Sequence, residues 1–339
     1  MRAHANHLVV PPDRREAIER IGGILARAKR LGLCTHVNAD GDGCGSEAGL
    51  ALLLGQRGVD VRIVNPTPWP DLFRFVLADG KVKDESARGA AALKDIDSLA
   101  VLDISDVKRL GALADAVRAL DVPKVVIDHH VPSNDPPSDV ILADTAACAT
   151  GELIYDFACV LEYDITPEVG RALYTAILTD TGGFRFSNTS PRCHAVASQL
   201  LAAGVNPEEI YQRVYASAPV GRLRLLAEVL QTLEVDDEKG LTWLSMDAGR
   251  LEHHNVRQED LDGIVEMARS VGGTKMALFF RDLGHGKVKV SFRSTGSVDV
   301  NAFARQFGGG GHARASGALI KGSLDDVRER VLAAARAVL

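Results

Sequence analysis

Short apolar, β-branched runs alternate with amphipathic segments through about the first 130 residues of the chain. The apolar runs predict strands at residues 33–36, 59–64, 99–103 and 124–128, and the 3.6-residue periodicity between them predicts helices at 13–31, 43–57 and 107–119. Strands that alternate with helices are typical of a parallel sheet with crossover connections. The pattern therefore predicts an α/β fold with a doubly wound, mainly parallel sheet.

The pattern changes twice in the remaining residues. Residues 147–233 are mostly helical, with helix starts indicated by Pro167, Pro191, Pro207 and Pro219, and we interpret them as completing the first domain. From residue 234 onward, strands are predicted at 240–246, 275–281 and 287–293, followed by a Gly-rich loop and a helix at 324–338. The acidic stretch at 234–238 resembles an exposed connector. Two domains are predicted, an α/β domain at 1–233 and a smaller α+β domain at 234–339.

Composition adds limits on the kind of protein. The 339 residues are 46% hydrophobic and 25% charged, which is ordinary for a folded globular chain. The longest apolar runs, such as residues 48–54, are much shorter than the ~20 residues of a membrane span, and the N-terminus has no basic-then-apolar signal pattern. Five cysteines form no CxxC pair. These features predict a cytoplasmic protein that has reduced thiols and no membrane segment.

The charge distribution bears on the partner. A net charge of -6 disfavours an extended basic surface for long nucleic acid. Residues 269–321, however, hold nine Lys or Arg against two Asp, a local charge of +7. Such a segment suits a small polyanion, although a solvated surface with chance clustering would also explain it.

The first chemical signal follows the strand predicted at residues 33–36. His36, Asp40 and Asp42 lie within seven residues there, and Gly41 and Gly43 allow the loop to fold tightly before the next helix. In open α/β sheets, functional groups collect at the carboxyl ends of strands. A polar turn with an Asp helix cap is the alternative for this segment taken alone.

Three more apolar runs end in acidic residues: the first at Asp103, the second at Asp128-His129-His130, and the third at Asp180 before two glycines. Each could be an ordinary polar residue at the end of an element. Together with the first segment, they supply the carboxylate and imidazole ligands that hard divalent cations such as Mn²⁺ or Mg²⁺ prefer. Two such ions, roughly 3.5–4 Å apart, catalyse phosphoryl hydrolysis. The sequence therefore predicts metal-assisted cleavage of phosphoesters.

These motifs, in this order and spacing, resemble the DHH phosphoesterases, a family named for the tripeptide that is Asp128-His129-His130 in this chain. The resemblance implies two Mn²⁺ ions, with Mg²⁺ or Co²⁺ possible. It implies that Asp103 bridges the ions, that Asp128 orients an imidazole, and that His130 contacts the scissile phosphate or protonates the leaving oxygen. The remaining implied metal ligands are His36 and Asp40 for one ion, and Asp42, His129 and Asp180 for the other.

The resemblance extends to the C-terminal domain. The segment from Gly308 to Gly317 is similar to the Gly-rich motif of the domain associated with this family. Consecutive glycines can expose backbone N–H groups to a phosphate, although a Gly run alone is more often a flexible loop. The residues predicted to bind substrate are Gly309, Gly310, Gly311, His312 and Arg314 in this motif, Arg293 and Ser294 on a preceding strand, and Arg185 after Asp180.

Within the family, the compact two-domain arrangement resembles the nanoRNase or oligoribonuclease branch, whose members also hydrolyse adenosine 3′,5′-bisphosphate. The expected partners are therefore short RNA oligonucleotides and small nucleotides, and a homodimer is expected. RecJ-type exonucleases have additional nucleic-acid-binding domains, and membrane-bound cyclic-dinucleotide phosphodiesterases have transmembrane segments. Family II inorganic pyrophosphatases have a different C-terminal domain. A signalling phosphodiesterase for cyclic or linear dinucleotides remains an alternative, as does a non-catalytic nucleotide sensor.

Overall fold

The computed structural model describes residues 7–261, 263–296 and 298–339, without the side chains of Glu259 and His312. The chain forms two compact units that divide between Ala216 and Ser217. This division lies earlier along the chain than the one predicted at residue 233. The helix Val220–Leu230 belongs to the second unit because its Leu225 and Val229 pack in one cluster with Leu244 and Phe279.

The first unit is built on a six-stranded sheet in which every pair of neighbouring strands described is parallel. The spatial order is β3-β2-β1-β4-β5-β6, and this doubly wound order confirms the predicted fold class. The strands are β1 Arg30–Cys34, β2 Asp60–Ile63, β3 Lys83–Asp84, β4 Ser98–Leu102, β5 Lys124–Asp128 and β6 Ile141–Ala143.

Three helices of this unit begin at the prolines that the sequence indicated, Pro167, Pro191 and Pro207, and the first helix also begins at a proline, Pro12. Proline as the first helical residue fixes φ and needs no N–H partner there. The helices are α1 Pro12–Leu25, α2 Gly41–Gly55, α3 Ala114–Ala119, α4 Thr150–Val160, α5 Pro167–Asp180, α6 Pro191–Ala202 and α7 Pro207–Tyr215. In this unit, 3₁₀ segments cover Asp71–Gly80, Ser86–Asp95 and Val107–Leu113.

Helix α1 ends at Leu25, so the prediction of a helix to residue 31 was wrong at its end. Arg30 and Leu31 instead form the start of β1, where Leu31 pairs with Val61 on one side and Ser98 on the other. Pairing with two neighbouring strands outweighs a helical periodicity that continues into the strand.

The central strands are buried on both faces. Leu33, Leu102 and Ile127 pack in the cluster on one face, whereas Cys34 and Val101 pack in the cluster on the other. This alternation follows from the two-residue repeat of a strand. Both faces are covered, as expected for a parallel sheet with crossover helices.

Helix α2 packs against α5 through glycines. A Cβ atom on Gly45 would lie 2.4 Å from the carbonyl oxygen of Ala172, and one on Gly49 would lie 2.5 Å from Leu173 Cδ2. A Cβ on Gly41 would lie 2.4 Å from Thr179 Oγ1. These close approaches hold the first turn of α2 beside the last turn of α5.

The second unit contains a six-stranded sheet with the order β11-β12-β10-β9-β8-β7. Only β8 and β9 pair in parallel among the strands described. The strands are β7 Glu234–Asp236, β8 Leu241–Met246, β9 Met276–Asp282, β10 Lys287–Ser294, β11 Gly310–His312 and β12 Ala315–Lys321. The helices are α8 Val220–Leu230, α9 Arg250–His254, α10 Ile264–Arg269, α11 Val300–Arg305 and α12 Leu324–Val338, with a 3₁₀ segment at Gln258–Leu261.

The α+β character predicted for the C-terminal region is confirmed by this sheet and its helices. The Gly-rich segment, however, was predicted as a loop, and its residues Gly310–His312 form the edge strand β11. Among the described residues, none of the helices has the length and apolar character required to cross a membrane.

Candidate metal centre

The polar residues predicted from the sequence follow three strands that are neighbours in the sheet. His36 lies two residues after β1, Asp103 follows β4, and Asp128 ends β5. The strand order reverses between β1 and β4, and the crevice outside such a reversal is the usual ligand site of a doubly wound sheet.

Asp103 occupies the middle of the centre. Its Oδ2 lies 3.5 Å from His36 Nε2, and its Oδ1 lies 3.7 Å from His129 Nε2. The carboxylate therefore presents one oxygen to each imidazole. This is the arrangement required of a ligand that bridges two cations.

Among the described residues, three overlapping groups of potential ligands lie in this region, and within each group the ligand atoms lie within 4.8 Å of one another. The two groups that contain the predicted ligands are His36, Asp40 and Asp103, and Asp42, His129 and Asp180. The third group, Asp103, His129 and His130, overlaps both of them. His129 Nε2 lies 3.6 Å from Asp42 Oδ2 and 3.7 Å from Asp180 Oδ2. These separations are longer than hydrogen bonds and leave space for a cation between the atoms.

In both His36 and His129, the Nδ1 atom lies near a backbone carbonyl oxygen, and the Nε2 atom is the nitrogen that faces the other predicted ligands. His36 Nδ1 lies 3.0 Å from the carbonyl oxygen of Val37, and His129 Nδ1 lies 3.4 Å from that of Ala147. Both Nε2 atoms are buried and have no hydrogen-bond partner among the described residues. A backbone carbonyl at Nδ1 leaves the Nε2 lone pair available to a metal. Oxygen and imidazole donors without a thiolate fit a divalent cation.

Electrostatics within the cluster also favour a cation. Burial, and then the charges of Asp103 and Asp180, raise the pKa of the Asp42 carboxyl well above its usual range. Burial likewise raises the pKa of Asp180 to about 6. Burial lowers the pKa of His36, but the carboxylates of Asp103 and Asp40 outweigh it and bring the value to about 10. The metal-free cluster therefore retains protons that a bound cation would displace.

The first turn of α4 supports two of the acids. The amides of Thr150 and Gly151 donate to Asp42 Oδ2 and Oδ1 at 2.7 and 3.0 Å, and Ser46 Oγ donates to the same Oδ1 at 3.0 Å. The hydroxyl of Thr150 donates to Asp103 Oδ1 at 3.0 Å. One residue, Thr150, therefore positions an acid from each ligand group.

Asp180 has a separate support. Asn188 Nδ2 donates to Asp180 Oδ2 at 3.0 Å and to the carbonyl oxygen of Cys148 at 2.8 Å. The amide fixes the Asp180 carboxylate relative to the segment that precedes α4.

His130 lies beside the ligands rather than between them. Its Nδ1 is 2.8 Å from Asp128 Oδ1, and Ser105 Oγ donates to Asp128 Oδ2 at 2.6 Å. The hydrogen bond with Asp128 raises the pKa of His130 above its ordinary value. The imidazole is partly exposed and can serve as a proton donor.

Two family models match the chain. The DHH family N-terminal domain matches residues 30–178, and the DHHA1 domain matches residues 241–339. A relative from Thermus thermophilus, named bifunctional oligoribonuclease and PAP phosphatase NrnA, is 34% identical over 90% of this chain and 88% of its own length. The chain belongs to the DHH family.

Other DHH relatives resemble nearly the whole chain. A protein with the same NrnA name from Bacillus subtilis is 28% identical over 88% of this chain and 91% of its own. The crystal structure of an exopolyphosphatase-related protein from Bacteroides fragilis has a TM-score of 0.86 and 26% identity, covering 96% of this chain and 97% of that one.

The structure brings the residues of the DHH motifs together. The six residues predicted as metal ligands make up the two ligand groups, and Asp128 contacts the His130 imidazole. Sequence reasoning did not identify the supporting residues Ser46, Ser105, Thr150 and Asn188. Hydroxyl and amide residues are common at helix starts and in loops, and their spacing gave no signal for these contacts.

The substrate residues predicted in the DHHA1 domain belong to β10, to β11 and to the turns beside β11, and β12 lies between these two strands. Arg293 pairs in register with Ala315, and its Nε donates to Glu266 Oε1 at 2.7 Å. Ser294 is fully buried, and its hydroxyl donates to the carbonyl oxygen of Val298 at 2.7 Å. The Ser294 hydroxyl therefore donates its hydrogen bond within the domain.

The glycine motif has internal partners as well. The amide of Gly309 donates to the carbonyl oxygen of Ala304 at 3.0 Å, and that of Gly311 donates to Asn301 Oδ1 at 3.1 Å. A Cβ on Gly309 would lie 2.2 Å from the carbonyl oxygen of Gly317. The amides of Gly309 and Gly311 are thus occupied within the domain, and close backbone packing accounts for glycine at 309.

The other predicted substrate residues have fewer constraints. Gly310 pairs with Gly317 at the sheet edge, and Arg314 is exposed. The side chain of His312 lies outside the described part of the chain. In the first unit, Arg185 is exposed, and its Nε donates to the carbonyl oxygen of Gly182 at 2.6 Å.

Proposed function

We propose that this protein is a metal-dependent phosphodiesterase that hydrolyses very short oligoribonucleotides to mononucleotides and also dephosphorylates adenosine 3′,5′-bisphosphate. The observation that supports it most directly is the position of Asp103, whose two carboxylate oxygens lie near His36 of one ligand group and His129 of the other. The relatives named bifunctional oligoribonuclease and PAP phosphatase, aligned over most of their length, support the substrate class.

The residues of the proposed metal centre have different roles. His36 and Asp40 would hold one cation, Asp42, His129 and Asp180 would hold the other, and Asp103 would be a ligand common to both. When bound, a pair of divalent cations offsets the charge of the phosphate and activates water. His130 donates a proton to the leaving oxygen, and Asp128 holds its imidazole in place.

The donor chemistry supports two Mn²⁺ ions, with Mg²⁺ or Co²⁺ as possible substitutes. Arg185, Arg293, Arg314 and the motif Gly309 to His312 are proposed to contact the part of the substrate that does not react. Ser294 contributes indirectly, since its buried hydroxyl fixes the end of the strand that holds Arg293. We also propose that the protein acts in the cytoplasm as a homodimer.

A panel of small substrates tests this function. Purified protein with Mn²⁺ would be incubated with diribonucleotides, adenosine 3′,5′-bisphosphate and a cyclic dinucleotide, and the products separated by chromatography. The first two should be hydrolysed, and stripping the metal with a chelator should abolish turnover.

The same panel distinguishes the alternatives. Preferential turnover of the cyclic dinucleotide would favour a signalling phosphodiesterase, and nucleotide binding without product would favour a sensor. Asp103→Asn is the matched control, because it removes the shared negative charge while the side-chain size is retained.

A further inference from the structure

The loop that follows α5 closes on a proposed metal ligand. It leaves the helix at Asp180 and returns at Asn188, whose Nδ2 donates to both the side chain and the carbonyl oxygen of Asp180, at 3.0 and 3.2 Å. Phe186 precedes Asn188 by two residues, so their Cα atoms are at most about 7 Å apart. The Phe186 side chain therefore originates close to the metal centre.

The backbone of this loop has three positive φ angles and internal hydrogen bonds. Gly182, Gly183 and Phe184 have φ angles of 58°, 71° and 64°. The amides of Arg185 and Phe186 both donate to the carbonyl oxygen of Thr181, at 2.9 and 3.0 Å. A left-handed conformation at a bulky residue such as Phe184 costs free energy, and it persists only when surrounding contacts enforce it.

The two phenylalanines of the loop have opposite environments. Phe184 packs inward, with ring centroids 6.1 Å from Tyr174 and 5.2 Å from His194. Phe186 is 52% exposed. The Phe184 ring anchors the loop, and about half of the Phe186 surface remains open to solvent.

The side chains of Phe186 and Arg185 both contact Gly182. The Phe186 ring lies against this glycine, where a Cβ atom would lie 2.5 Å from the ring carbon Cζ. Arg185 is fixed to the same glycine, because its Nε donates to the carbonyl oxygen of Gly182 at 2.6 Å. An exposed aromatic ring and a guanidinium on one loop match the two parts of a nucleotide, a flat base and an anionic phosphate.

We propose that Phe186 is a base-stacking subsite for the nucleotide next to the scissile phosphate, with Arg185 contacting a phosphate of that nucleotide. Stacking on a phenyl ring tolerates every base, which suits an enzyme that degrades short RNA of any sequence. This inference rests on the proposed function, since it assigns a position within the same site.

Direct binding measurements test the subsite without requiring turnover. Calorimetry with the Mn²⁺-loaded protein would compare AMP with ribose 5-phosphate, which lacks the base. Phe186→Ala should weaken AMP binding roughly 5- to 150-fold and change ribose 5-phosphate binding less than about 2-fold. Phe186→Tyr should keep AMP affinity, whereas Phe186→Leu should lose most of it.

Two controls separate stacking from loop structure. Leu201→Ala truncates an exposed apolar residue on α6 and should leave both ligands unaffected. Mn²⁺ affinity should be the same in all variants, since Asp180 is not changed. Equal losses for AMP and ribose 5-phosphate, or unchanged AMP binding in Phe186→Ala, would overturn the subsite. Failure of the proposed function would appear separately, as absent oligoribonucleotide hydrolysis.

Discussion

Asp103 adopts a backbone φ of 62°, a conformation that costs a non-glycine residue about 1–3 kcal/mol. Its neighbours enforce this conformation. The Asp103 amide donates to the carbonyl oxygen of Ile127 at 2.9 Å, and Thr150 Oγ1 donates to its carboxylate at 3.0 Å. In this conformation the carboxylate presents one oxygen to His36 and the other to His129.

Replacing the Thr150 hydroxyl tests this support. Thr150→Val keeps the side-chain shape and the amide that bonds Asp42, and it removes only the donor to Asp103. We expect Mn²⁺ affinity and kcat to fall about 10- to 100-fold, as for other residues that orient metal ligands, with little change in KM. Thr150→Ser keeps the hydroxyl, so its Mn²⁺ affinity and kcat should equal those of the wild-type protein. Calorimetric titration of Mn²⁺ gives the affinity, and a value for Thr150→Val equal to the wild-type value would show that Asp103 needs no such support.

At the scale of elements, the contact of α2 with α5 brings together two acids of one ligand group, Asp42 and Asp180. The glycines of α2 allow its first turn to approach the last turn of α5, and Asp42 and Asp180 come from those two turns. Larger residues would separate the helices, and the distance from His129 to both acids depends on this spacing.

Two glycines of α2 offer a matched comparison. Gly45→Ala would place a methyl group 2.4 Å from a backbone oxygen, whereas the described structure has no atom within 4 Å of a Cβ on Gly55. Gly45→Ala should lower the free energy of unfolding by about 1–3 kcal/mol. Gly55→Ala should raise it by up to about 1 kcal/mol, because alanine favours the helix. Denaturant unfolding of both variants measures the difference, and equal effects would contradict the close packing of α2 on α5.

Helix α2 also contains a fully buried acid, Glu47. Burial raises its pKa to about 8 from an ordinary 4.5, although Asn65 Nδ2 donates to its Oε2 at 2.7 Å. The folded protein therefore binds the Glu47 proton more tightly than the unfolded chain does. The resulting stability is fully present below pH 4.5 and is lost as the pH rises toward about 8.

Glu47→Gln removes this titration and keeps an acceptor for Asn65. Between pH 5 and pH 8, the metal-free wild-type protein should lose more unfolding free energy than the variant, by an amount on the order of a few kcal/mol. Urea unfolding of both proteins at several pH values isolates Glu47, since all other groups are common to the pair. If the unfolding free energies of the wild-type protein and Glu47→Gln changed equally with pH, Glu47 would not titrate in this range.

At the scale of the whole molecule, charge distribution limits the substrate. The chain has a net charge of -6, and residues 269–321 have a local excess of basic residues. Part of this excess is neutralised internally, because Arg269 and Arg293 both pair with Glu266, at 2.5 and 2.7 Å. The cationic surface available to a ligand is therefore smaller than the sequence count indicates.

The expected consequence is a preference for short substrates. Additional phosphates on a long chain gain no extended cationic track and approach an acidic protein. RNA of two to four nucleotides should have a much higher kcat/KM than a 20-mer. A length series at fixed salt measures this, and rates that stay flat or increase with length would favour a processive exonuclease.

The sequence predicted the elements with strong local signals. Strand β5 and helix α12 have the bounds that the pattern predicted, since each has an uninterrupted period and a clear start. The edge strands β3, β6, β7 and β11 were not predicted, and β7 lies in the acidic stretch that was interpreted as an exposed connector. They have only two or three residues each, and pairing with a neighbouring strand, rather than their own periodicity, makes them strands.

By itself, the sequence determined which residues have the chemistry for a metal centre, because acids and histidines that end apolar runs are visible without a structure. The tertiary structure decided which atoms meet. The pairing of β1 with β4 brings His36 beside Asp103, and the packing of α2 on α5 brings Asp42 near Asp180. It also placed Thr150 on two acids distant from it in sequence. Such contacts depend on strand order and helix packing, which the linear spacing of residues does not encode.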